Sequence, residues 1–355
     1  MSAVQQPGAS AAAAGVWRKR LGALLLPVAA VVAAFVVTGL LMAVTGVNPI
    51  RAYTYLFLHS FTDRNSLAEI VVRTGPLLLT GLGVAVAFQC GMWNIGAEGQ
   101  LYVGAIATTG IGITFIHLPS VILLPLIVLV SMGAGGLYGA LPAWLKVRFG
   151  ANEIIVTIML NYVAMLSASY LLSNPWKEPS GLVPRSANIV EAAQLPRMVS
   201  GTRIHAGILL ALAAAAIMYV LLQKTVLGYR LRAVGRNPKA AHYGGIRVGR
   251  TLIGGMFISG GLAGLAGLGE ISGIHYHLLD DFSPGYGFTG IIVALLGNLH
   301  PIGVAVAAVL FAALQVGAES MQRTFRIATS LVWILQGLVV LFALGSRFLR
   351  RYTGE

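Results

Sequence analysis

Glu98 is the residue of this chain whose type and setting point most directly to chemistry, because it is the only charged residue between residues 74 and 145. An ionisable side chain within a long apolar stretch is costly to bury, and such residues usually belong to a pathway or a site. Its neighbours Trp93, Asn94 and Gln100 add a flat ring and two amide groups that both donate and accept hydrogen bonds. Together these side chains suit a polar ligand with a planar part.

Glycines close to Glu98 indicate how the chain presents it. Gly91, Gly96 and Gly99 allow a helix to break, and a broken helix frees backbone groups that must face protein or a water-filled cavity. We therefore expect a substrate pathway here, the alternative being a tight cytoplasmic turn between two membrane spans. Asn161, in a later apolar run, either lines the same pathway or, as we favour, joins helices through hydrogen bonds.

A basic segment, residues 228–250, is the second feature with a predicted role. Asn237 followed by Pro238 is typical of a helix start, and the Gly244–Gly245 pair is typical of a helix end. The segment carries six cations and no acid: Arg230, Arg232, Arg236, Lys239, Arg247 and Arg250. A short helix between two apolar spans can be held by a partner and can pass a movement to both spans.

Several kinds of chemistry lack the residues that they need. The chain has no Gly-x-x-x-x-Gly-Lys-Ser/Thr sequence, so we expect ATP and Mg²⁺ to bind elsewhere and this chain to hold no cofactor. Neither a Ser/His/Asp set nor His-Glu-x-x-His occurs, which argues against an enzyme. The single cysteine, Cys90, excludes a disulfide framework. His275 and His277, close to two aspartates, have ligand-like spacing, yet we favour a solvated loop over a metal site.

Composition indicates the class of protein that carries these features. Hydrophobic residues make up 57% and charged residues 10% of the 355 residues, and the mean hydropathy is +0.82. These values predict an all-α, polytopic transmembrane helical bundle. The net charge of +13 comes from basic residues at membrane borders rather than from a face suited to nucleic acid. We expect a multi-pass protein of the cytoplasmic (inner) membrane, in contact with lipid.

Charge-poor runs divide the chain into about ten predicted segments, or eight spans plus re-entrant segments. A span needs about 20 residues to cross roughly 30 Å of hydrocarbon. The runs cover residues 21–47, 67–91, 98–116, 119–141, 154–173, 205–223, 251–273, 286–299, 301–318 and 328–346. Because 286–299 is short and flanked by glycine, we expect a half-span or re-entrant helix there.

The distribution of lysine and arginine predicts the orientation, since cytoplasmic loops carry the excess. It places both termini, as well as a loop at 224–250, in the cytoplasm, and a large loop at 174–204 outside. The predicted organisation is a disordered basic tail at 1–20, a transmembrane domain at 21–346 and a cytoplasmic tail at 347–355. The loop at 174–204 suits a lid or a contact for an external partner.

Three motifs in order resemble one family. They are Gly228-Tyr-Arg-Leu-Arg-Ala-Val-Gly-Arg-Asn-Pro-Lys-Ala-Ala-His-Tyr-Gly-Gly-Ile, Asn94-Ile-Gly-Ala-Glu-Gly-Gln100 and Phe282-Ser-Pro-Gly-Tyr-Gly-Phe-Thr-Gly-Ile-Ile-Val-Ala-Leu-Leu-Gly297. They resemble the ABC importer permeases of the ribose and branched-chain amino acid branch, and within it the nucleoside permeases, which are simple-sugar-like. The resemblance runs from about residue 65 to residue 345.

The resemblance implies a complex. Its other members would be a second, similar permease, a cytoplasmic ABC ATPase and an external substrate-binding lipoprotein or periplasmic protein. It implies that nucleosides, or related ribosyl or sugar compounds, cross at the expense of ATP. The ATPase would be coupled through the basic segment, namely through Gly228, Arg230, Arg232, Gly235, Asn237, Pro238, Ala240, Ala241 and Gly244. The substrate pathway would include Trp93, Asn94, Glu98, Gln100 and Asn161.

Two other functions remain open at this stage. A branched-chain amino acid or another simple sugar could be the cargo, although binding of a charged amino acid headgroup would require a paired charge or a helix N-terminus. An ion-coupled secondary transporter is compatible with hydropathy alone, but it has no need of the basic segment.

Overall fold

The structure is a computed structural model that describes residues 32–178, residues 184–327 and, within 330–345, all but residues 332, 340, 343 and 344. Regular structure in these ranges is helical, apart from three isolated β-bridges. The chain forms two compact units, one of residues 1–61 with 317–355 and one of residues 62–316. The predicted all-helical fold is confirmed for the described residues. The predicted tails at 1–20 and 347–355 lie outside them.

The first unit contains the described part of the first apolar helix, α1 (Val32–Val44), and α2 (Pro49–Thr62). The hydroxyl of Tyr53 on α2 donates to the Phe35 carbonyl at 2.7 Å, and the two rings meet edge to face. Described residues between 330 and 345 are also helical. Sequence patterning does not reveal α2, because its 14 residues mix polar and apolar side chains and form no span-length run.

The second unit contains the remaining helices, and six helices of the described chain are long and apolar enough to cross a membrane. They are α3 (Arg64–Gln89), α5 (Ser120–Phe149), α6 (Glu153–Ser173), α7 (Gly207–Lys224), α10 (Val248–Glu270, extended by a π-helical turn at Ile271–His275) and α12 (Pro301–Phe325), which runs into the first unit. The shorter elements are α4 (Ala97–Thr114), α8 (Val226–Arg236), α9 (Pro238–Tyr243) and α11 (Tyr286–Leu296).

Helices α3, α4 and α10 form the centre of this unit, packed through glycine. At Gly104 and Gly264 the backbones of α4 and α10 approach so closely that an added Cβ would overlap the facing chain. Gly260 and Gly264 also lie against the α5 backbone at Gly135. The small-x-x-x-small spacing of Gly260 and Gly264 therefore marks close helix packing, as the sequence predicts.

Two breaks separate consecutive helices of this unit. Helix α3 ends at Gln89, Gly91 turns the chain with φ +80°, and α4 begins at Ala97. Helix α10 passes through its π-turn into non-helical chain before α11, which has 11 residues and is roughly 16 Å long. The expected break near Glu98 and the expected short helix near 286–299 are both present.

Candidate functional site

The basic segment folds into two short helices with clear caps. The Thr225 hydroxyl accepts from the Gly228 amide at the start of α8, and the Asn237 side chain accepts from the Ala240 amide at the start of α9. Pro238 occupies the first turn of α9, where a missing N–H costs nothing. The helix ends at Gly244, which Gly245 follows with φ +78°. The start and the end predicted for this helix are confirmed.

The inner face of α8 is held by tight contacts. Gly228 lies against the α7 backbone at Leu221 and Leu222, and Leu231 and Val234 are buried. On this helix Arg232 has one buried guanidinium nitrogen without a hydrogen-bond partner. Helix α8 is therefore packed closely against α7.

The outer faces of α8 and α9 enclose a cavity of about 450 Å³. Ala240 is exposed on its wall, whereas Ala241 is buried beneath it. The lining combines cations with small apolar residues: Val226, Tyr229, Arg230, Ala233, Arg236, Asn237, Ala240, Ala241, Gly244, Gly245 and Ile246. Of the predicted coupling residues, Arg230, Asn237, Ala240, Ala241 and Gly244 share this cavity.

Gly235 joins the basic segment to the interrupted α3–α4 passage. Its Cα faces the Gln89 carbonyl and Gly91 so closely that no side chain fits between them. The two regions predicted separately from sequence, the basic segment and the glycine-rich stretch, are therefore in direct contact.

A buried amide network follows this turn. The Asn94 and Gln100 side chains exchange two hydrogen bonds of 2.9 and 3.1 Å, and Asn94 also donates to the Ser259 hydroxyl on α10 at 2.9 Å. Asn161 on α6 accepts from the Gly99 amide at 2.8 Å and donates to the Ile95 carbonyl at 2.9 Å. These bonds join the non-helical stretch and the first turn of α4 to α10 on one side and to α6 on the other.

Glu98 lies in the first turn of α4, with only 2% of its surface exposed. Its carboxylate accepts from the Gly287 amide at 2.6 Å. Gly285 at the start of α11 has no side chain; the Ser283 hydroxyl accepts from the Gly285 and Tyr286 amides, and Glu98 caps the Gly287 amide from α4. The partial positive charges of two helix N-termini converge on this carboxylate, which offsets the cost of burying it. Glu98 therefore lies inside the bundle and not in a solvated turn.

The structure brings four of the five predicted pathway residues together and leaves one apart. Asn94, Glu98, Gln100 and Asn161 form one buried polar region. Trp93 is 53% exposed, and its ring packs on Phe88 with centroids 4.8 Å apart. In this conformation Asn94 and Gln100 bind each other, while Asn161 and Glu98 bind backbone groups.

Sequence reasoning missed two important groups. Glu270 ends α10 inside a run that we treated as charge-poor, although an acid in an apolar run is the same signal that singled out Glu98. Ser259 escaped notice because its role depends on Asn94, far away in sequence. No pattern within the α10 sequence could have shown that partner.

The loop at 174–204 covers the helix ends opposite α8 and α9, as far as its described residues show. Its amide at Ile189 donates to the Tyr276 carbonyl at 2.8 Å, and Arg203 binds both oxygens of Glu69 on α3. His205, next to this loop, is buried, and burial lowers its pKa to about 4. Burial, followed by the nearby Arg185 cation, also lowers the pKa of His277.

Comparison with known proteins gives consistent relatives. The chain is 39% identical to the glucose ABC transporter permease protein TsgB13 of Haloferax volcanii, over 92% of this chain and 88% of the relative. It is 37% identical to the guanosine ABC transporter permease protein NupP of Bacillus subtilis, over 95% and 97%. It is 34% identical to the nucleoside ABC transporter permease protein NupB of Lactococcus lactis, over 84% of each. No solved structure matches.

The family comparison covers most of the second unit and part of the first. Residues 66–344 match the family described as the permease component of the branched-chain amino acid transport system. The match coincides with the range, about 65 to 345, over which the three motifs resemble such permeases. The chain belongs to this permease family, and it is a membrane subunit of an ABC transporter rather than an enzyme.

Proposed function

We propose that this subunit carries nucleosides, or related ribosyl or sugar compounds, into the cell, driven by ATP that a partner hydrolyses. The names of the relatives support this range of cargo, since they include guanosine, nucleoside and glucose permeases. The observation that carries the mechanism is the contact of Gly235 with Gln89 and Gly91. It links the surface proposed for the ATPase to the interrupted passage proposed for the cargo.

The coupling route starts at α8 and α9. The ATPase binds the exposed face around Ala240. When the ATPase closes, it shifts α8, which is packed closely on α7. Gly235 transmits the shift to the turn at Gly91, and the turn pulls on the amide network of Asn94 and Gln100. The network leads to the start of α4, where Glu98 holds the N-terminus of α11. Loss of that cap would free α11 and open the passage.

The cargo pathway follows the same groups. Asn94, Gln100 and Asn161 would exchange their present hydrogen bonds for bonds to the cargo as the network opens, while Glu98 lies in the same pathway and holds α11. Trp93, half-exposed beside the turn, would stack a flat base where the cargo leaves on the α8 side.

The partners follow from the family. A second, similar permease would complete the membrane domain, the ATPase would bind ATP and Mg²⁺, and an external binding protein would deliver cargo to the loop at 174–204. We place the α8–α9 end and both termini in the cytoplasm, because the cations of residues 224–250 lie at this end. About ten segments would then cross or enter the membrane, with α11 as a half-span.

Uptake of labelled guanosine by vesicles that contain the complete complex tests this proposal. ATP-dependent uptake is expected, whereas leucine uptake without guanosine uptake would favour an amino acid cargo. Uptake that persists in ATP-depleted vesicles with an imposed ion gradient would refute ATP coupling.

The variant Ala240→Glu tests the docking surface. Ala240 is exposed, so the change leaves the fold intact while placing a carboxylate in the proposed ATPase contact; transport and stimulated ATP hydrolysis should both fall. His117→Glu adds the same charge between α4 and α5, at the opposite end, and serves as the control. Equal activity of the two variants would contradict the docking assignment.

A further inference from the structure

A second buried carboxylate, Glu270, lies in the same unit and has no part in the coupling route. Glu270 is 3% exposed, and its Oε1 atom has no hydrogen-bond partner among the residues that the structure describes. The hydroxyl of Ser272, which is fully buried, also lacks a partner. Buried polar atoms are nearly always paired in folded proteins, so two unpaired atoms two residues apart call for an explanation.

The backbone around these two groups departs from the α-helix. Residues Ile271–His275 form a π-helical turn that continues α10. Such turns are rare and occur frequently at functional sites, because the extra residue redirects the side chains. Here the turn places the His275 Nε2 atom 3.6 Å from the Glu270 Oε2 atom. This oxygen of the carboxylate therefore faces the imidazole ring.

Helix packing locates the group relative to α3. Gly255 meets Cys90, and Ser259 meets Gly83, so the residue numbers rise along α10 while they fall along α3. Continuing this antiparallel register places Glu270 level with Arg73. Arg73 binds Glu69, and Glu69 also binds Arg203 of the loop at 174–204. The site therefore lies between that loop and Glu98.

An aromatic wall completes the surroundings. The ring of Phe282 lies 4.6 Å from the ring of Tyr102 and 6.4 Å from that of His275. Phe282 and Tyr102 are both buried. Acceptor oxygens, a hydroxyl, an imidazole and aromatic faces are the groups that a sugar ring requires, because it presents hydroxyls around its edge and C–H groups on its faces.

We propose that Glu270 and His275 bind the vicinal hydroxyl groups of the sugar ring of the cargo. The inference rests on the proposed function, and it names the part of the cargo that nucleosides and simple sugars share. A carboxylate oxygen accepts from a hydroxyl in a strong, charge-assisted bond, and one unpaired oxygen is available on Glu270.

The test compares two cargoes in two proteins. Uptake of a labelled ribonucleoside and of its 2′,3′-dideoxy analogue is measured as kcat/KM in proteoliposomes that contain the complete complex, with wild-type chain or Glu270→Gln. The same binding protein serves both, so its own preference cancels. The variant should lower kcat/KM for the ribonucleoside about 10-fold to 100-fold and leave the dideoxy analogue close to wild type.

Two further variants serve as controls for Glu270→Gln. Ser272→Ala removes a buried hydroxyl on the opposite side of the helix with little change of shape, and it should leave the preference for the ribonucleoside over the dideoxy analogue unchanged. Asp280→Asn alters an exposed carboxylate in the following connection, bonded to Ser169, and should affect neither cargo.

Each outcome of these measurements supports or overturns either this inference or the proposed function. Equal losses for both cargoes in Glu270→Gln would mean that the carboxylate only supports the fold, and an unchanged preference would mean that it touches no hydroxyl; either overturns the inference. A wild-type complex that takes up neither nucleosides nor sugars would instead refute the proposed function, whatever the variants do.

Discussion

Removing the Glu98 carboxylate should release the N-terminus of α11. In Glu98→Ala the Gly287 amide loses its acceptor, and two helix N-termini lose the charge between them. A hydrogen bond to a charged group contributes about 1.5–3 kcal/mol, and favourable helix-end electrostatics add up to about 2 kcal/mol. A combined loss of about 2–4 kcal/mol would shift the equilibrium between docked and released α11 roughly 30-fold to 900-fold.

Hydrogen–deuterium exchange with mass spectrometry measures this release directly. Peptides that cover residues 283–290 should exchange faster in the variant, and ATP-driven uptake should fall while ATP hydrolysis continues. Asp63→Ala is the matched control, because Asp63 caps α3 by accepting from the Ser66 amide at 2.9 Å. It should speed exchange at the start of α3 only. If exchange at 283–290 stays at the wild-type rate in Glu98→Ala, the capping role is refuted.

Three other changes test separate contacts. Gly235→Ala forces a methyl group against the Gln89 carbonyl, and overpacking of this kind costs about 1–3 kcal/mol. ATP hydrolysis measured beside uptake should show that the two are uncoupled, whereas normal uptake per ATP would contradict the route. Gly264→Val places a side chain against the α5 backbone and should lower the midpoint of thermal unfolding in detergent, which an unchanged midpoint would disprove. His205, with its pKa lowered from 6.5 to about 4, stays neutral in the fold while the unfolded chain takes up a proton. The contribution of His205 to the free energy of unfolding is therefore fully present above pH 6.5 and is lost toward pH 4, with about 2 kcal/mol lost at pH 5. The variant His205→Gln should make the free energy of unfolding less dependent on pH.

The helical elements were largely predictable, because hydropathy and caps act locally. Asn237, Pro238 and Gly244 specify α9 by themselves, and the helix has the predicted ends. The length of α5 was underestimated, since it continues past the apolar run to Phe149. Lys146 and Arg148 in its last turn end the hydropathy signal but suit a helix C-terminus, so the chemistry of the helix and that of the membrane give different limits.

The site was predictable in its residues but not in its contacts. Isolation in an apolar run singled out Glu98, yet nothing local indicates that Gly287 would be its partner. Trp93 is close to the amide residues in sequence but not in the structure. Its ring packs on Phe88 and is about half exposed, apart from the buried amides. Neighbours in sequence diverge here because the chain turns at Gly91, and a turn separates side chains that a continuous helix would keep together.

The two buried carboxylates differ in a way that assigns them different tasks. The Glu98 carboxylate already accepts a backbone hydrogen bond, so breaking that bond changes the position of a helix for any cargo. One oxygen of Glu270 accepts nothing, so a bond formed there depends on what the cargo offers. A transporter needs both kinds of group, since movement must not depend on the cargo and selection must. Loss of Glu98 should therefore affect all cargoes alike, and loss of Glu270 only those that carry the hydroxyls.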